Sequence, residues 1–369
     1  MEKGRVAMLT SERKFEIMEF ELPEINDDEI LIKVEGSGVC GTDAHEFKGD
    51  PFGMIPVVLG HEGTGEIVKL GKNIKNDTVG NPVKVGDKLV TSTLVCRECP
   101  SCVNMPGKSN MCENVGVYGL MLDDEKHFNG YFSDYLLIRK NSTFFNVSDM
   151  YLDLRLLIEP SAVAIHAVER AKTTGLLNFD SKVIVQGCGP IGLLTLAVLR
   201  TMGLNNIIAI DGNDSRLELA KEMGAKHIFN FTKFESLEDL KDAIFQVTDG
   251  LGAEFGMQCT GAPAAASNLW KFVRRGGGLC EVGFFVNGGD ATYNPHFDIC
   301  NKEITAVGSW VYTPQEYPIT FSFLKRAQEI GLPIEKLITH RFSLEDMNEA
   351  LDTNLSMKGI KVVYINEKF

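Results

Sequence analysis

Two short stretches near the amino terminus carry residue types that bind metals. Cys40–Gly41–Thr42–Asp43–Ala44–His45 and Gly60–His61–Glu62–Gly63–Thr64–Gly65 supply a thiolate, an imidazole and a carboxylate. Zinc accepts all three donors, and a zinc that does chemistry keeps one position open for water or substrate. His61 and Glu62 follow the apolar run Val57–Val58–Leu59, which sets them at the edge of a core. A carboxylate there is costly unless a metal or a partner compensates it. A lone buried histidine is ordinarily a satisfied core residue. Three ligand types between glycine-rich turns are better explained as a metal set.

Cys96, Cys99, Cys102 and Cys112 form a second set, spaced C-x2-C-x2-C-x9-C. Four thiolates suit a closed tetrahedral structural zinc. An iron–sulfur cluster is the competing reading, but the short spacing to a fourth cysteine followed by proline is missing. This set is expected to staple a loop and to take no part in chemistry. Glu159 lies in the apolar stretch Leu156–Leu157–Ile158–Glu159–Pro160. On its residues alone it reads as a helix-start carboxylate before a proline, favoured by the helix dipole.

A third constellation is Gly187–Cys188–Gly189–Pro190–Ile191–Gly192, directly after an apolar run and opening a helical pattern. Alone, GxGxxG is a weak signal; its context here is right, and Asp211 lies 19 residues past Gly192. Gly187 permits a tight turn, Gly189 lets backbone approach a pyrophosphate, and Gly192 lets helix and strand pack closely. The helix amino terminus adds free N–H groups and a positive dipole end. Asp211 can accept from a ribose diol and would repel a 2′-phosphate, which favours NAD; the nearby Arg216 keeps NADP possible. Cys188 reads as a packing residue.

These residues need elements to position them. The first 150 residues look β-rich and glycine-punctuated, with strands expected over Phe15–Phe20 and Ile30–Val34. After about residue 160, short apolar runs alternate with helical patterns, as in βαβ units on a parallel sheet. Strands are expected at Lys182–Val185, Ile207–Ile210, Phe255–Cys259 and Leu279–Val282, with helices over Ile191–Met202 and Asp214–Met223. Ser343–Asp346 resembles a capping box opening a helix, and Ile360–Ile365 closes as a strand. Lys72–Asp87 reads as a surface insertion. The fold class is α/β in two domains: 1–160, completed by 310–369, and 161–309.

With 369 residues, 44% hydrophobic and 24% charged, the chain has the make-up of a globular protein of two domains. A formal charge of −13 argues against nucleic acid or an anionic membrane surface as partner. No apolar run approaches the roughly 20 residues that span a bilayer, and no signal peptide is visible. The expected compartment is the cytoplasm, where nine cysteines are better explained by metal binding than by disulfides.

Together these residues resemble the zinc-containing medium-chain dehydrogenases over essentially the whole chain. The matching stretches are Cys40–Gly41–Thr42–Asp43, Gly60–His61–Glu62 through Gly65 and Gly71, and Gly86–Asp87. The four cysteines, Glu159–Pro160, the Gly187–Gly192 loop, Thr260–Gly261 and Gly276–Gly277 complete them. Glu159–Pro160 resembles the sorbitol, polyol and sugar dehydrogenase branch. Two departures stand out: the gap from Cys102 to Cys112 is longer than the family's usual spacing, and Asn129–Tyr135 differs from its common Gly-Gly-Phe-Ala-Glu-Tyr stretch.

The resemblance implies a GroES-like β-rich catalytic domain and a Rossmann domain. It makes Cys40, His61 and Glu62 the catalytic zinc site, with Glu159 a ligand or water-linked neighbour. Thr42 and His45 match a proton relay, with Glu62 counted among the catalytic residues. Gly187, Gly189, Pro190, Ile191, Gly192, Asp211, Arg216 and Thr260 match the cofactor site. It implies hydride transfer between a secondary alcohol (polyol, sugar or cyclitol) and NAD. The alternatives are an L-threonine 3-dehydrogenase-like enzyme, a simple alcohol dehydrogenase, a zinc-free reductase of the same superfamily, or a non-catalytic NAD- or metal-binding protein. Family members are homodimers or homotetramers, with the strand near Ile304–Trp310 at the subunit contact.

Overall fold

The computed structural model describes residues 2–369, which divide into two compact units. The first comprises the chain up to Glu159, Thr313–Tyr317 and Ile338–Phe369; the second comprises Pro160–Tyr312 and Pro318–Leu337. In chain order the first part supplies β1 (Lys3–Ser11), β2 (Lys14–Glu21), β3 (Ile30–Gly38), α1 (Gly41–Gly49), β4 (Val57–Val58) and β5 (Glu62–Leu70). Then come β6 (Lys88–Thr91), α2 (Pro100–Asn104), β7 (Tyr135–Ile138), β8 (Phe144–Asn146), α3 (Leu152–Arg155) and α4 (Ile158–Lys172). The second part runs β9 (Lys182–Gln186), α5 (Pro190–Thr201), β10 (Asn206–Asp211), α6 (Asp214–Glu222), β11 (His227–Asn230) and α7 (Leu237–Gln246). It continues through β12 (Ala253–Gln258), α8 (Pro263–Phe272), β13 (Val273–Glu281), β14 (Thr305–Gly308) and α9 (Tyr317–Glu329). The chain ends with β15 (Ile338–Phe342), α10 (Met347–Leu355) and β16 (Lys361–Ile365).

In the first unit, β2–β1–β4 form one sheet, and β15–β16–β3–β5–β6–β8 form a larger one, with β7 also on β3. β3 is buried on both faces, which is why its sequence reads as apolar beyond simple alternation. Its register sets Gly38 opposite Glu62 on one side and Val363 on the other. Three strand ends therefore meet where Glu62 begins β5. The core under them includes Val34, Leu59, Tyr131, Phe132 and Tyr364, capped by Met347 and Leu351 of α10.

The second unit is a six-stranded sheet, β11–β10–β9–β12–β13–β14, parallel throughout. Its central strands are unbroken apolar runs because helices cover both faces. Strand order reverses between β9 and β12, and ligands of such sheets bind beside the carboxyl ends at this switch point. The β-rich domain and the doubly wound parallel sheet expected from sequence are both present.

Two expectations need correction. Residues 318–337, assigned by sequence to the first domain, pack with the second unit. The apolar face of α9 is buried through Phe323, Leu324 and Ala327, and Lys336 pairs with Glu222 at 2.6 Å. Ser343 does not cap the last helix either. Its Oγ donates to the Asp346 carboxylate at 2.6 Å, and Asp346 itself stands at the N-cap of α10. The Lys72–Asp87 insertion is exposed, but buried Asp77 ties it down, accepting from the N–H groups of Val79, Asn81 and Asn146.

Candidate metal and dinucleotide sites

Cys40 is the N-cap residue of α1, and Asp43, three residues on, reaches back to accept its N–H at 2.8 Å. This capping geometry fixes the thiol at the helix start. Asp43 is fully buried, and its other oxygen accepts the Gly60 N–H at 3.3 Å and stands 3.3 Å from His61 Nδ1. A carboxylate behind one ring nitrogen orients the imidazole and leaves the other nitrogen for a metal. Sequence reasoning quoted Asp43 within its motif but gave it no role; the i, i+3 spacing to Cys40 was the available signal.

The ligand atoms of Cys40, His61 and Glu62 all lie within 4.8 Å of one another. Glu62 is buried at the start of β5, and a buried lysine, Lys361 of β16, forms an ion pair with it. Lys361 Nζ also donates to the Val39 carbonyl at 3.1 Å. Burial alone would lower the pKa of this ammonium, but Glu62 and then Cys40 and Glu159 outweigh burial and raise it. Sequence reading missed Lys361, because nothing local marks a lysine near the carboxyl end as facing residues some 300 positions earlier. For His61, burial likewise lowers the pKa, but Asp43 and Cys40 raise it well above the ordinary value. Groups that hold a proton so firmly attract a cation by the same field, and metal binding releases that proton.

The structure does not bring the fourth expected ligand into this cluster. Glu159, half-buried as the second residue of α4, lies outside the 4.8 Å set and acts on it through the field at Lys361. Thr42 is buried, with Oγ1 3.7 Å from Cys40 Sγ. His45 is exposed one turn further along α1; partial burial and then Lys48 lower its pKa. Glu46, on the buried face of α1, has its carboxyl pushed up to about 7, first by burial and then by Asp50.

The four cysteines also converge, with their sulfurs within 4.8 Å of one another. Cys96 and Cys112 sulfurs are 3.5 Å apart, far beyond a bond of about 2.05 Å. Sulfurs on a tetrahedral zinc at 2.3 Å would stand about 3.8 Å apart, so the spacing fits the metal. Backbone N–H groups point at the sulfurs: Cys99 to Cys96 at 3.4 Å, Cys102 to Cys99 at 3.5 Å, Cys96 to Cys112 at 3.4 Å. The amides of Glu98 and Cys99 pull the Cys96 thiol down to about 6. A 3₁₀ turn over Ser109–Met111 takes up the long gap and delivers Cys112.

In the second unit, Gly187 has φ of +93°, a left-handed turn that L side chains rarely adopt. A Cβ on Gly192 would lie 1.7 Å from the Gly187 carbonyl oxygen, whereas one on Gly189 would meet open space. The loop is thus closed against the protein at Gly192 and open at Gly189, where a pyrophosphate would need room. Pro190 and Ile191 begin α5 behind it. Asp211 ends β10, its Oδ2 accepting the Cys188 N–H at 2.7 Å and its Oδ1 that of Asn213 at 2.9 Å. A carboxylate has about four acceptor positions, so it keeps capacity for a ribose diol. Arg216 lies in the first turn of α6, and Thr260 sits against Gly187. Cys188 is buried, with its thiol raised by burial, which agrees with a packing role.

Residues 26–149 match the family model of the alcohol dehydrogenase GroES-like domain, and residues 190–326 that of the zinc-binding dehydrogenases. The sorbitol dehydrogenase of Bacillus subtilis (strain 168) is 32% identical over 360 residues, spanning 96% of this chain and 94% of that protein. The D-arabitol-phosphate dehydrogenase of Enterococcus avium is 31% identical, with 94% and 92% covered. Among solved structures, an alcohol dehydrogenase from Thermotoga maritima superposes with a TM-score of 0.91 at 30% identity, covering 100% of both chains. Among the described residues, no helix is long and apolar enough to cross a membrane.

Proposed function

Because this chain belongs to the zinc-containing medium-chain dehydrogenases, we propose that it oxidises a secondary alcohol of the polyol, sugar or cyclitol class with NAD. The observation that carries this reading is the convergence of half-buried Cys40 with buried His61 and Glu62 beside the Thr42 hydroxyl. Zinc held by these three supplies a Lewis acid that lowers the pKa of a hydroxyl, and the dinucleotide supplies the hydride acceptor.

The chain's own residues do the rest. Asp43 holds His61 in one orientation, and Lys361 balances the charge of Glu62. The field of Glu159 adds to that of Glu62 at Lys361 and helps to keep its ammonium charged. Thr42 and His45 form the proton path. The lowered pKa of His45 keeps its imidazole neutral, and so able to accept a proton, at neutral pH. The four cysteines hold a structural zinc. Asp211 at the glycine loop favours NAD over NADP. Polyols rank first because sorbitol and arabitol-phosphate dehydrogenases are among the relatives and Glu159–Pro160 matches that branch.

The decisive experiment is a screen for NADH production over polyols, sugars, inositols, simple alcohols and L-threonine, with and without a chelator. Turnover of at least one polyol is expected, abolished by the chelator and restored by zinc. A chain that binds NADH but reduces no NAD with any substrate would overturn the enzymatic reading; turnover confined to L-threonine would overturn the polyol reading.

A second copy is the proposed partner. β14 is the outer strand of the parallel sheet, with Thr305, Ala306 and Gly308 exposed, and an uncovered strand edge invites pairing with another strand. Equilibrium sedimentation is expected to give a dimer or tetramer; a monomer mass would refute it.

A further inference from the structure

Gln186, Gln258 and Glu281 are the last residues of β9, β12 and β13, and the ladder places them side by side across the sheet. Residues paired in register on neighbouring strands project to the same face. On this face the rows before them are apolar: Ile184 and Leu279 belong to one buried cluster, together with Leu269. The sheet thus ends in a polar row, with Gln186 and Gln258 buried and Glu281 half-buried, where its interior would otherwise favour apolar side chains.

The row is wired to the loops beside it. Gln258 Nε2 donates to the Thr260 carbonyl at 2.9 Å, and the Thr260 N–H donates back to Gln258 Oε1. One amide thus holds both ends of the Thr260 residue. Gln258 also faces Glu281 and tempers the rise of its pKa, and Glu281 Oε1 accepts the Gly283 N–H at 3.1 Å. Thr260 in turn is wedged between glycines. A Cβ on Gly187 would come within 2.5 Å of Thr260 Cγ2, and one on Gly283 within 1.9 Å of its carbonyl oxygen. Displacing Thr260 therefore displaces the Gly187 turn.

We propose that Gln258 and Glu281 are positioning residues for the dinucleotide, a polar brace that holds Thr260 and the Gly283 turn against the glycine loop. The inference rests on the dinucleotide reading of that loop. The brace touches no reacting atom; it sets the shape into which the cofactor fits. Glu281 also carries a carboxyl pushed up to about 7, chiefly by burial, as expected for a group that serves as a hydrogen-bonding element.

The test uses the full-length, zinc-loaded protein and NADH as the probe, with affinity read from nicotinamide fluorescence. Q258L removes both bonds to Thr260, and E281L removes the acceptor for Gly283. Q258L should raise the NADH Kd and the KM for NAD at least about tenfold, the loss expected when two ordinary hydrogen bonds stop holding a loop, and E281L, which removes one, about fivefold. The KM for the alcohol, the zinc content and kcat at saturating NAD should stay near wild type. E281Q keeps an acceptor for Gly283 and should restore NADH affinity to within about twofold of wild type. Should Q258L fail to fold, the E281L and E281Q pair decides alone. Unchanged NADH affinity in the leucine variants, or E281Q as weak as E281L, overturns the brace while leaving the dinucleotide site intact. A wild-type chain that binds no dinucleotide overturns both.

Discussion

Chains carrying Cys40→Ser or His61→Ala are expected to fold, to bind one zinc fewer than wild type, and to lose NAD-linked turnover by roughly a thousandfold. The size follows from the chemistry: Lewis-acid stabilisation of several kcal/mol, about 4 kcal/mol for three factors of ten, disappears with the metal. Folding should survive because neither residue carries the local structure alone. The Cys40 N–H that closes the start of α1 is backbone and keeps Asp43 as its acceptor. Asp43 in turn keeps the Gly60 N–H when the imidazole is gone. What changes is charge. Without the thiolate, Glu62 is left with the buried ammonium of Lys361, and a divalent cation loses its strongest anionic partner. Metal analysis, a melting curve and steady-state rates on the same preparation separate the possibilities. Unaltered zinc content, or turnover within tenfold of wild type, would show that the metal set has been misassigned.

The difference between what the sequence declared and what it hid is itself physical. Cys40, His61 and Glu62 were legible because their ligand types lie close together between glycines, and the Gly187–Gly192 loop because turn, helix start and packing each demand glycine at fixed offsets. β9 and β10 were legible because strands covered on both faces are continuously apolar. The α9 segment was misassigned because an amphipathic pattern shows which face is buried but not against which core. Lys361 and the Gln258–Glu281 pair were invisible for a related reason. A buried polar residue is recognised by its partner, and here the partners arrive through strand register: Lys361 from the carboxyl-terminal strand, Glu281 from the neighbour of β12. Glu159 shows the converse. Its motif marked it as belonging near the metal, yet the structure leaves it outside the ligand cluster, with its field felt at Lys361.

The four-cysteine loop carries the second large effect. Cys112→Ser and Cys99→Ser are expected to remove one zinc per chain and to make the segment between Cys96 and Cys112 cleavable by protease at conditions where wild type resists. Little else orders this stretch. Its regular structure amounts to α2 and one 3₁₀ turn, and Val103, Met105 and Met111 are exposed instead of packed. Four thiols within 4.8 Å would repel one another as thiolates without a cation between them. Structural zinc contributes on the order of 10 kcal/mol to folding where the metal is the main organising contact. Because the loop can open without the sheets opening, most of that energy should appear as local unfolding, with a smaller fall in the melting temperature. Turnover should fall far less than in the Cys40 and His61 variants, since Thr42, Asp43 and the first metal set belong to other elements. Limited proteolysis with mass readout, alongside metal analysis, decides the matter: a serine variant that keeps its full zinc content and its protease resistance would show that these cysteines hold no metal. Iron in place of zinc in the wild-type protein would instead favour the cluster reading of the same spacing.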